Sequence, residues 1–293
     1  MIVRIISGIV GIAIAAVVIQ LGGFPFAIFS MLLTLIGWYE YSAMMKSKGM
    51  NITFILGALM LILMLCCAWL GNTEELLAVL TIGMLMIFLM TVLLHGSVRP
   101  IDACASIAGV LYIGLPFSHL ILLRFLYDES LDSVTSTVDK GLPAIEQALN
   151  SLLAFNFDVG SMLIWLLFIC TWSSDTFAYF VGVAIGSHKL ASTISPKKTV
   201  EGFIGGVIGT MAMAVLIGHV FFTFSFIEMA ILGFILAIAA TLGDLVESVI
   251  KRFAGVKDSG ILLPGHGGML DRFDSILFTA PVFYYFIIIA GLI

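Results

Sequence analysis

The chain has 293 residues, of which 61% are hydrophobic and only 11% are charged. A soluble domain of this length cannot hide so much apolar surface, whereas runs of about 20 apolar residues match a ~30 Å hydrocarbon core. The composition therefore excludes a soluble globular protein. It predicts an all-α, polytopic membrane protein with a single integral membrane domain, 1–293.

The net charge of −5 is concentrated in one segment. Residues 127–158 hold six acids and one lysine, and the rest of the chain has twelve acids and twelve bases. Because no basic excess remains to attract a polyanion, no nucleic acid is expected as a partner. The four cysteines lie in apolar runs or at their ends without metal-type spacing, which favours packing over disulfides or zinc.

Nine apolar runs predict nine transmembrane helices. No A-x-A cleavage pattern follows the first run, so an uncleaved helix is expected rather than a signal peptide. A five-helix half at 1–126 and a four-helix half at 159–293 flank the acidic segment, 127–158. The runs fall at about 5–21, 24–45, 52–71, 75–94, 103–126, 160–186, 202–224, 228–250 and 270–291.

Basic residues predict the orientation of these helices. Eleven lie at ends or loops of one side, and only Arg124 and Lys140 lie on the other. By the positive-inside rule the first side is cytoplasmic, which puts the N-terminus inside and 127–158 outside a cell (inner) membrane. The eleven are Arg4, Lys46, Lys48, Arg99, Lys189, Lys197, Lys198, Lys251, Arg252, Lys257 and Arg272.

The outer acidic segment contains one periodic stretch. Leu142, Ile145, Leu149 and Leu152 recur at helical spacing around Pro143. This pattern predicts a short amphipathic helix lying on the membrane surface. A solvated connector is favoured over a functional role for this segment.

Acids inside membrane helices are costly and usually face a cavity or a partner. Glu40 is the one candidate in the first half, and a place at the membrane interface is an equal alternative. In the second half, Ser174, Asp175 and Tyr179 lie in the sixth predicted helix, in a run that continues to Gly182. A cavity-lining role is favoured for Asp175 over a packing hydrogen bond.

Lys197 and Lys198 stand just before the seventh predicted helix, after a break at Ser195-Pro196. Cations beside a helix N-terminus favour phosphate, although topology signals and lipid headgroup contacts are the alternatives. The chain has no G-x-x-x-x-G-K-[ST] pattern, so a P-loop is excluded. Overlapping G-x-x-x-G pairs predict close helix packing, at Gly202, Gly205, Gly206 and Gly209.

The eighth predicted helix carries charged residues on one face, at i, i+3, i+4, i+7 and i+8. If the following loop folds back, the acids at the start of the ninth helix meet this face, and a divalent cation would compensate the buried charge. Oxygen ligands favour Mg²⁺ or Mn²⁺ over zinc, while a purely structural salt-bridge network is the alternative. The face comprises Asp244, Glu247, Ser248, Lys251 and Arg252, and the ninth helix begins with Asp271, Asp274 and Ser275.

The stretch Ser248–Asp274 reads SVIKRFAGVKDSGILLPGHGGMLDRFD. It resembles the signature of the phosphatidate cytidylyltransferase (CDP-diacylglycerol synthase) family, S-x-x-K-R, four residues, K-D, then P-x-H-G-G-x-x-D-R-x-D. The upstream S-D-T-x-A-Y and S-P-K-K-T-x-E-G segments are also similar to the family. The resemblance covers about Trp172 to Asp274, and the first five helices match only in general character.

The resemblance implies synthesis of CDP-diacylglycerol and pyrophosphate from CTP and phosphatidic acid with Mg²⁺. It implies that Asp244 and Asp271 bind the metal, and Asp175 and Asp274 are candidates for a second cation or a supporting role. The implied catalytic residues are Asp244, Asp271, Lys251, Arg252 and Lys257. The implied substrate-binding residues are Lys197, Lys198, Ser248, Asp258, His266, Gly267, Gly268 and Arg272.

Two other functions compete with this interpretation. An ion-coupled transporter also needs acids within helices, but it predicts two symmetric halves, and here the charge is gathered in one. Another transferase on lipid phosphates could use the same metal and basic groups, although the K-R to H-G-G-x-x-D-R-x-D frame argues against it. Glycine-rich helix faces together with the resemblance favour a homodimer. Membrane lipids are expected as further partners.

Overall fold

A computed structural model describes residues 2–126, 158–222, 224–260 and 267–292, with side chains from Gly8 onward. The predicted amphipathic helix around Pro143 lies outside these residues, and so does His266.

The described chain is almost entirely helical, and each of the nine predicted runs coincides with helix. The helices are α1 (Ile2–Leu21), α2 (Gly23–Ser47), α3 (Phe54–Trp69), α4 (Thr73–Leu93), α5 (Pro100–Arg124), α6 (Val159–Ile185), α7 (Val200–Phe221), α8 (Phe226–Ala254), α9 (Leu270–Phe273) and α10 (Ile276–Ala290). The strands are β1 (Lys189–Ala191) and β2 (Ser195–Thr199).

Six of these helices are long and apolar enough to cross a membrane: α2, α4, α5, α6, α7 and α8. Three shorter apolar helices accompany them, at Gly8–Leu21, Phe54–Trp69 and Ile276–Ala290. The all-α membrane architecture is therefore confirmed, while the number of nine spans and their orientation stay predictions.

Two local features differ from the sequence prediction. The ninth predicted helix, 270–291, is broken into α9 and α10 around Asp274 and Ser275. The predicted break at Ser195-Pro196 is instead the start of a strand, because β1 and β2 pair as an antiparallel hairpin. A two-stranded hairpin has only edge strands, where the missing N–H of proline is tolerated.

The chain divides into two compact units. The first unit comprises Met1–Leu122 and Val246–Leu277, and the second comprises Leu123–Leu245 and Phe278–Ile293. The helix α8 contributes residues to both units.

The core of the first unit packs aromatic rings of α2 against glycines of neighbouring helices. Trp38 is fully buried and its Nε1 donates to the carbonyl of Phe54 at 2.9 Å. A side chain at Gly57 would run into the Trp38 ring, and one at Gly109 into the Tyr41 ring. The close approach of α2, α3 and α5 therefore depends on these small residues.

The core of the second unit depends on small residues between α6 and α7. A Cβ at Gly202 would lie 2.7 Å from the carbonyl oxygen of Ala178, and one at Gly206 2.9 Å from that of Ser174. The close packing predicted from the G-x-x-x-G pattern is confirmed. In the same unit, Thr171 and Thr279 join their buried hydroxyls at 3.0 Å.

Candidate active site

A cavity of about 450 Å³ opens in the second unit, and we call it the lysine pocket. Its wall is built by α6, the β-hairpin, the start of α7 and the part of α8 before residue 246. The polar side chains that line it are Ser174, Asp175, Tyr179, Lys197, Lys198, Thr199, Thr241 and Asp244.

The hairpin reaches the pocket because its base is fixed to α7. The Glu201 carboxylate accepts hydrogen bonds from the backbone N–H groups of Ser187 and His188 at 3.0 and 3.2 Å. The same carboxylate contacts Nδ1 of His188 at 2.6 Å. Thr199 then caps α7, because its Oγ1 accepts from the N–H of Gly202. The two lysines are thus held on a short strand directly before a helix N-terminus.

Positively and negatively charged side chains both line the lysine pocket. Lys198 Nζ lies 2.5 Å from Asp244 Oδ2, and their side chains keep 24% and 27% exposure. Asp175 and Lys197 are exposed and line the same cavity. The cavity-lining role predicted for Asp175 is confirmed. Two lysines beside a helix N-terminus can bind a multiply charged anion such as a phosphate.

A second group of charges lies in the first unit, and we call it the carboxylate cluster. Asp271 is at its centre: Oδ1 accepts from Lys251 Nζ at 2.6 Å. Its Oδ2 accepts from the N–H and hydroxyl of Ser259 and from the N–H of Gly268, at 2.8, 3.0 and 2.9 Å. The members of the cluster are Glu40, Glu247, Lys251, Ser259, Gly268, Asp271 and Asp274.

The charge state of Asp271 follows from these bonds. The residue lies on the short helix α9, before the apolar helix α10. Burial raises the pKa of its carboxyl, but the hydrogen bonds from Lys251, Gly268 and Ser259 outweigh burial and hold the pKa below its ordinary value. These hydrogen bonds all donate to the carboxylate and therefore stabilise its ionised form.

Two acidic side chains of the carboxylate cluster lie close together. The Glu247 side chain is fully buried and reaches Lys251 Nζ at 2.5 Å. Its Oε1 has no hydrogen-bond donor among the residues that the structure describes. Ligand oxygens of Glu247 and Asp274 lie within 4.8 Å of each other. Glu247 and Asp274 thus bring two carboxylates close together, and oxygen ligands of this kind suit a hard cation such as Mg²⁺.

Glu247 lies on the charged face of α8, and the metal-binding residues predicted from the sequence do not include it. Glu40 is only 4% exposed and is bonded within the carboxylate cluster. Of the two alternatives for Glu40, the structure supports the one in which the acid meets a protein partner. A glutamate three residues after Gly37 on an apolar helix was the signal, since small residues mark close approach of another segment.

The remaining predicted residues do not all join these two groups. Gly267 has a φ of 90°, a left-handed conformation that favours glycine, and it precedes the Gly268 N–H bonded to Asp271. Ser248 is buried on α8. His266 lies outside the described residues. The exposed residues among these remaining ones are Arg252, Lys257, Asp258 and Arg272.

A family model described as "Cytidylyltransferase family" matches residues 2–290. The chain belongs to this family. Because the match begins in α1, it also covers the first five helices, where the sequence motifs showed only a general likeness. An ion-coupled transporter is thereby excluded, and the protein is a nucleotidyl-transferring enzyme.

Several named relatives match the chain over nearly their whole lengths. A phosphatidate cytidylyltransferase of Synechocystis sp. is 36% identical, over 98% of this chain and 96% of its own. Those of Staphylococcus haemolyticus and Bacillus subtilis are 33% and 30% identical, each over 96% of both chains. The resemblance drawn from the motifs is confirmed.

Proposed function

We propose that the enzyme transfers CMP from CTP to phosphatidic acid and releases CDP-diacylglycerol and pyrophosphate. The lysine pocket carries this proposal, in a chain whose full-length relatives are named for that activity. A polar cavity on membrane helices suits a pair of substrates in which one is a lipid and the other a soluble nucleotide.

The reaction needs no nucleophilic side chain. An oxygen of the lipid phosphate is already negatively charged near neutral pH and attacks the α-phosphorus of CTP in line. A new P–O bond forms, the bond between the α-phosphorus and the bridging oxygen breaks, and pyrophosphate leaves with that electron pair. The protein contributes alignment of the two phosphates and compensation of their charge.

Lys197 and Lys198 are proposed to bind phosphate oxygens. Lys198 is paired with Asp244 in the structure, and both side chains are partly exposed, so a triphosphate can compete for the ammonium group. The N-terminus of α7, capped by Thr199, adds the positive end of a helix dipole beside the same cavity.

Residues of the stretch Ser248–Asp274 supply the other proposed contacts. Lys251 is bonded to Asp271 and Glu247, and it would hold these acids in place. The exposed bases are proposed to bind the triphosphate and the lipid phosphate, while Ser248, Asp258 and the His-Gly-Gly run shape the nucleotide site. These bases are Arg252, Lys257 and Arg272.

Magnesium is the proposed cofactor, with Asp244 and Asp271 as its predicted ligands. Glu247 supports a cation in this region, because it stands one helical turn after Asp244 on α8 and has a buried oxygen without a donor. Oδ2 of Asp271 already accepts three protein hydrogen bonds, so Oδ1, which accepts from Lys251, is the oxygen that would bind the cation. Bound magnesium would withdraw charge from the phosphates and assist departure of pyrophosphate.

The site is proposed to face the cytoplasm, in a homodimer in the cell (inner) membrane. The asymmetry of the basic residues supports the orientation. CTP is a cytoplasmic nucleotide, and the phosphate of phosphatidic acid lies at headgroup level, so both would reach a cavity at the inner surface.

The test is a turnover assay with the purified protein in detergent. CTP, phosphatidic acid and Mg²⁺ are supplied, and both pyrophosphate and CDP-lipid are measured. We expect equal amounts of the two products, no reaction with a chelator, and no reaction with diacylglycerol, which lacks the attacking phosphate. We expect Asp271→Asn to be folded and to lose turnover. Transfer to a polyprenyl phosphate instead of phosphatidic acid would overturn the proposed substrate.

A further inference from the structure

Resting on the proposed function, we propose that Glu40 is a positioning residue that clamps the segment carrying Asp271. Glu40 belongs to α2, more than two hundred residues before that segment in the sequence. Its place in the reaction is indirect: it acts through Asp271 and Lys251 and does not itself contact substrate.

The Glu40 carboxylate accepts three hydrogen bonds. Oε1 accepts from the N–H of Met269 at 2.8 Å. Oε2 accepts from the N–H of Leu270 at 3.0 Å and from the hydroxyl of Ser259 at 2.9 Å. Ser259 and the pair Met269–Leu270 belong to the two described parts of the stretch Ser248–Asp274, so one side chain joins both parts.

Two glycines allow this carboxylate to approach the backbone. A Cβ at Gly268 would lie 2.5 Å from Glu40 Oε2, and a Cβ at Gly260 would lie 2.8 Å from Glu40 Cδ. Separations below 3.0 Å are not adopted by real Cβ atoms, so neither position admits a side chain without a shift. Gly260 and Gly268 therefore allow the Glu40 carboxylate to reach its hydrogen-bond donors.

The clamp is coupled to Asp271 through shared donors. The Ser259 hydroxyl lies 2.9 Å from Glu40 Oε2 and 3.0 Å from Asp271 Oδ2, and it has only one proton to donate. The N–H of Gly268 bonds to Asp271, and the next N–H, of Met269, bonds to Glu40. Displacing Glu40 would therefore loosen the same peptide groups that hold Asp271 against Lys251.

The decisive variant is Glu40→Gln, which keeps the size of the side chain and removes one acceptor. All three partners are donors, so the amide NH2 would face donors and at least one bond would be lost. Because a shift of about 1 Å can cost on the order of 100-fold in rate, we expect kcat to fall by about tenfold or more. The KM for CTP should change by a smaller factor than kcat, since Lys197 and Lys198 of the lysine pocket lie on other elements.

The matched control is Glu75→Gln, on an exposed glutamate in the first turn of α4, which should retain wild-type kcat.

Hydrogen exchange of the backbone amides at 268–270 gives a second measurement that does not depend on turnover. We expect faster exchange in Glu40→Gln and no change in Glu75→Gln. If the wild type makes no CDP-lipid, the proposed function fails, and the exchange measurement still decides whether Glu40 clamps the segment.

A folded Glu40→Gln protein with wild-type kcat would overturn the proposal, and so would a loss of kcat with unchanged exchange. If this variant does not fold, Ser259→Ala takes its place, because Glu40 then keeps its two backbone donors. We expect a several-fold loss of kcat in Ser259→Ala with an unchanged melting temperature. Wild-type kcat in that variant would also contradict the proposal.

Discussion

The lysine pocket and the carboxylate cluster contain the same types of charged side chain but differ in exposure. In the pocket, the paired side chains of Lys198 and Asp244 are 24% and 27% exposed. In the cluster, the side chains of Lys251, Glu247 and Asp271 are 12%, 0% and 5% exposed. The pocket is therefore open to a ligand, whereas the cluster is closed around its own charges.

The partners of the acids differ as well. Asp271 and Glu40 bond mainly to backbone N–H groups and a serine hydroxyl, which belong to the framework of the first unit. Asp244 bonds to a lysine side chain that can turn away. A partly solvated ion pair costs little to separate, while a buried pair that loses one partner is strongly destabilising. The pocket is suited to exchange partners during turnover, and the cluster is suited to hold its shape.

The largest effect on stability is expected from Lys251→Met. This change leaves Glu247 and Asp271 as buried acids without their common cation. Breaking a buried pair in this way costs about 3–5 kcal/mol, so the free energy of unfolding in detergent should fall by that amount. Chemical denaturation monitored by tryptophan fluorescence measures it.

Lys46→Met is the matched control for this prediction. Lys46 is exposed in the last turn of α2, where its interaction with the helix dipole is worth less than about 1 kcal/mol. Equal destabilisation by the two substitutions would show that the carboxylate cluster is no more closed than the protein surface.

A smaller effect is expected from Gly268→Ala, which tests the clamp without removing charge. The added methyl would press on the Ser259 hydroxyl and the Glu40 carboxylate. Overpacking of this kind costs about 1–3 kcal/mol, and the displaced N–H of Gly268 should also lower turnover through Asp271. Thermal unfolding and the CDP-lipid assay measure the two effects.

Gly11→Ala provides the comparison, because a Cβ at Gly11 would meet no atom within 4 Å. In a helix this change should be neutral or stabilising by up to about 1 kcal/mol. If Gly268→Ala also left stability and turnover unchanged, the close approach of Glu40 to the backbone would not require glycine at position 268.

The apolar helices were predictable because hydropathy is a local property of the sequence. The nine runs all correspond to helices, and the break at Asp274 and Ser275 was missed because two short helices have the same composition as one. The β-hairpin was missed for a similar reason: strands of three and five residues carry no periodic signal. The hydropathy pattern thus predicted the long helices better than the helix break and the short strands.

The lysine pocket was predictable in part because its residues come from adjacent elements. Asp175 lies on α6, and Lys197 and Lys198 lie on the hairpin that joins α6 to α7. The partners of Glu40 were not predictable, since Ser259 follows it by 219 residues and the match depends on packing of α2. The acids predicted to face a metal included Asp271, and the structure surrounds Asp271 with donors that no spacing rule indicates.

The smallest effect on stability, with a clear effect on binding, is expected from Lys198→Gln. Removing one partner of a partly exposed ion pair should change the free energy of unfolding by less than about 1 kcal/mol. The loss of one charge-assisted hydrogen bond to phosphate, worth about 1.5–3 kcal/mol, should raise the KM for CTP by about tenfold or more. Lys189→Gln is the control, since Lys189 is an exposed lysine of the same hairpin outside the pocket lining and should leave the KM unchanged.

A wild-type KM for CTP in Lys198→Gln, or equal changes of KM in both variants, would mean that the lysine pocket does not hold the triphosphate. The contrast between an open binding site and a closed framework would then no longer stand.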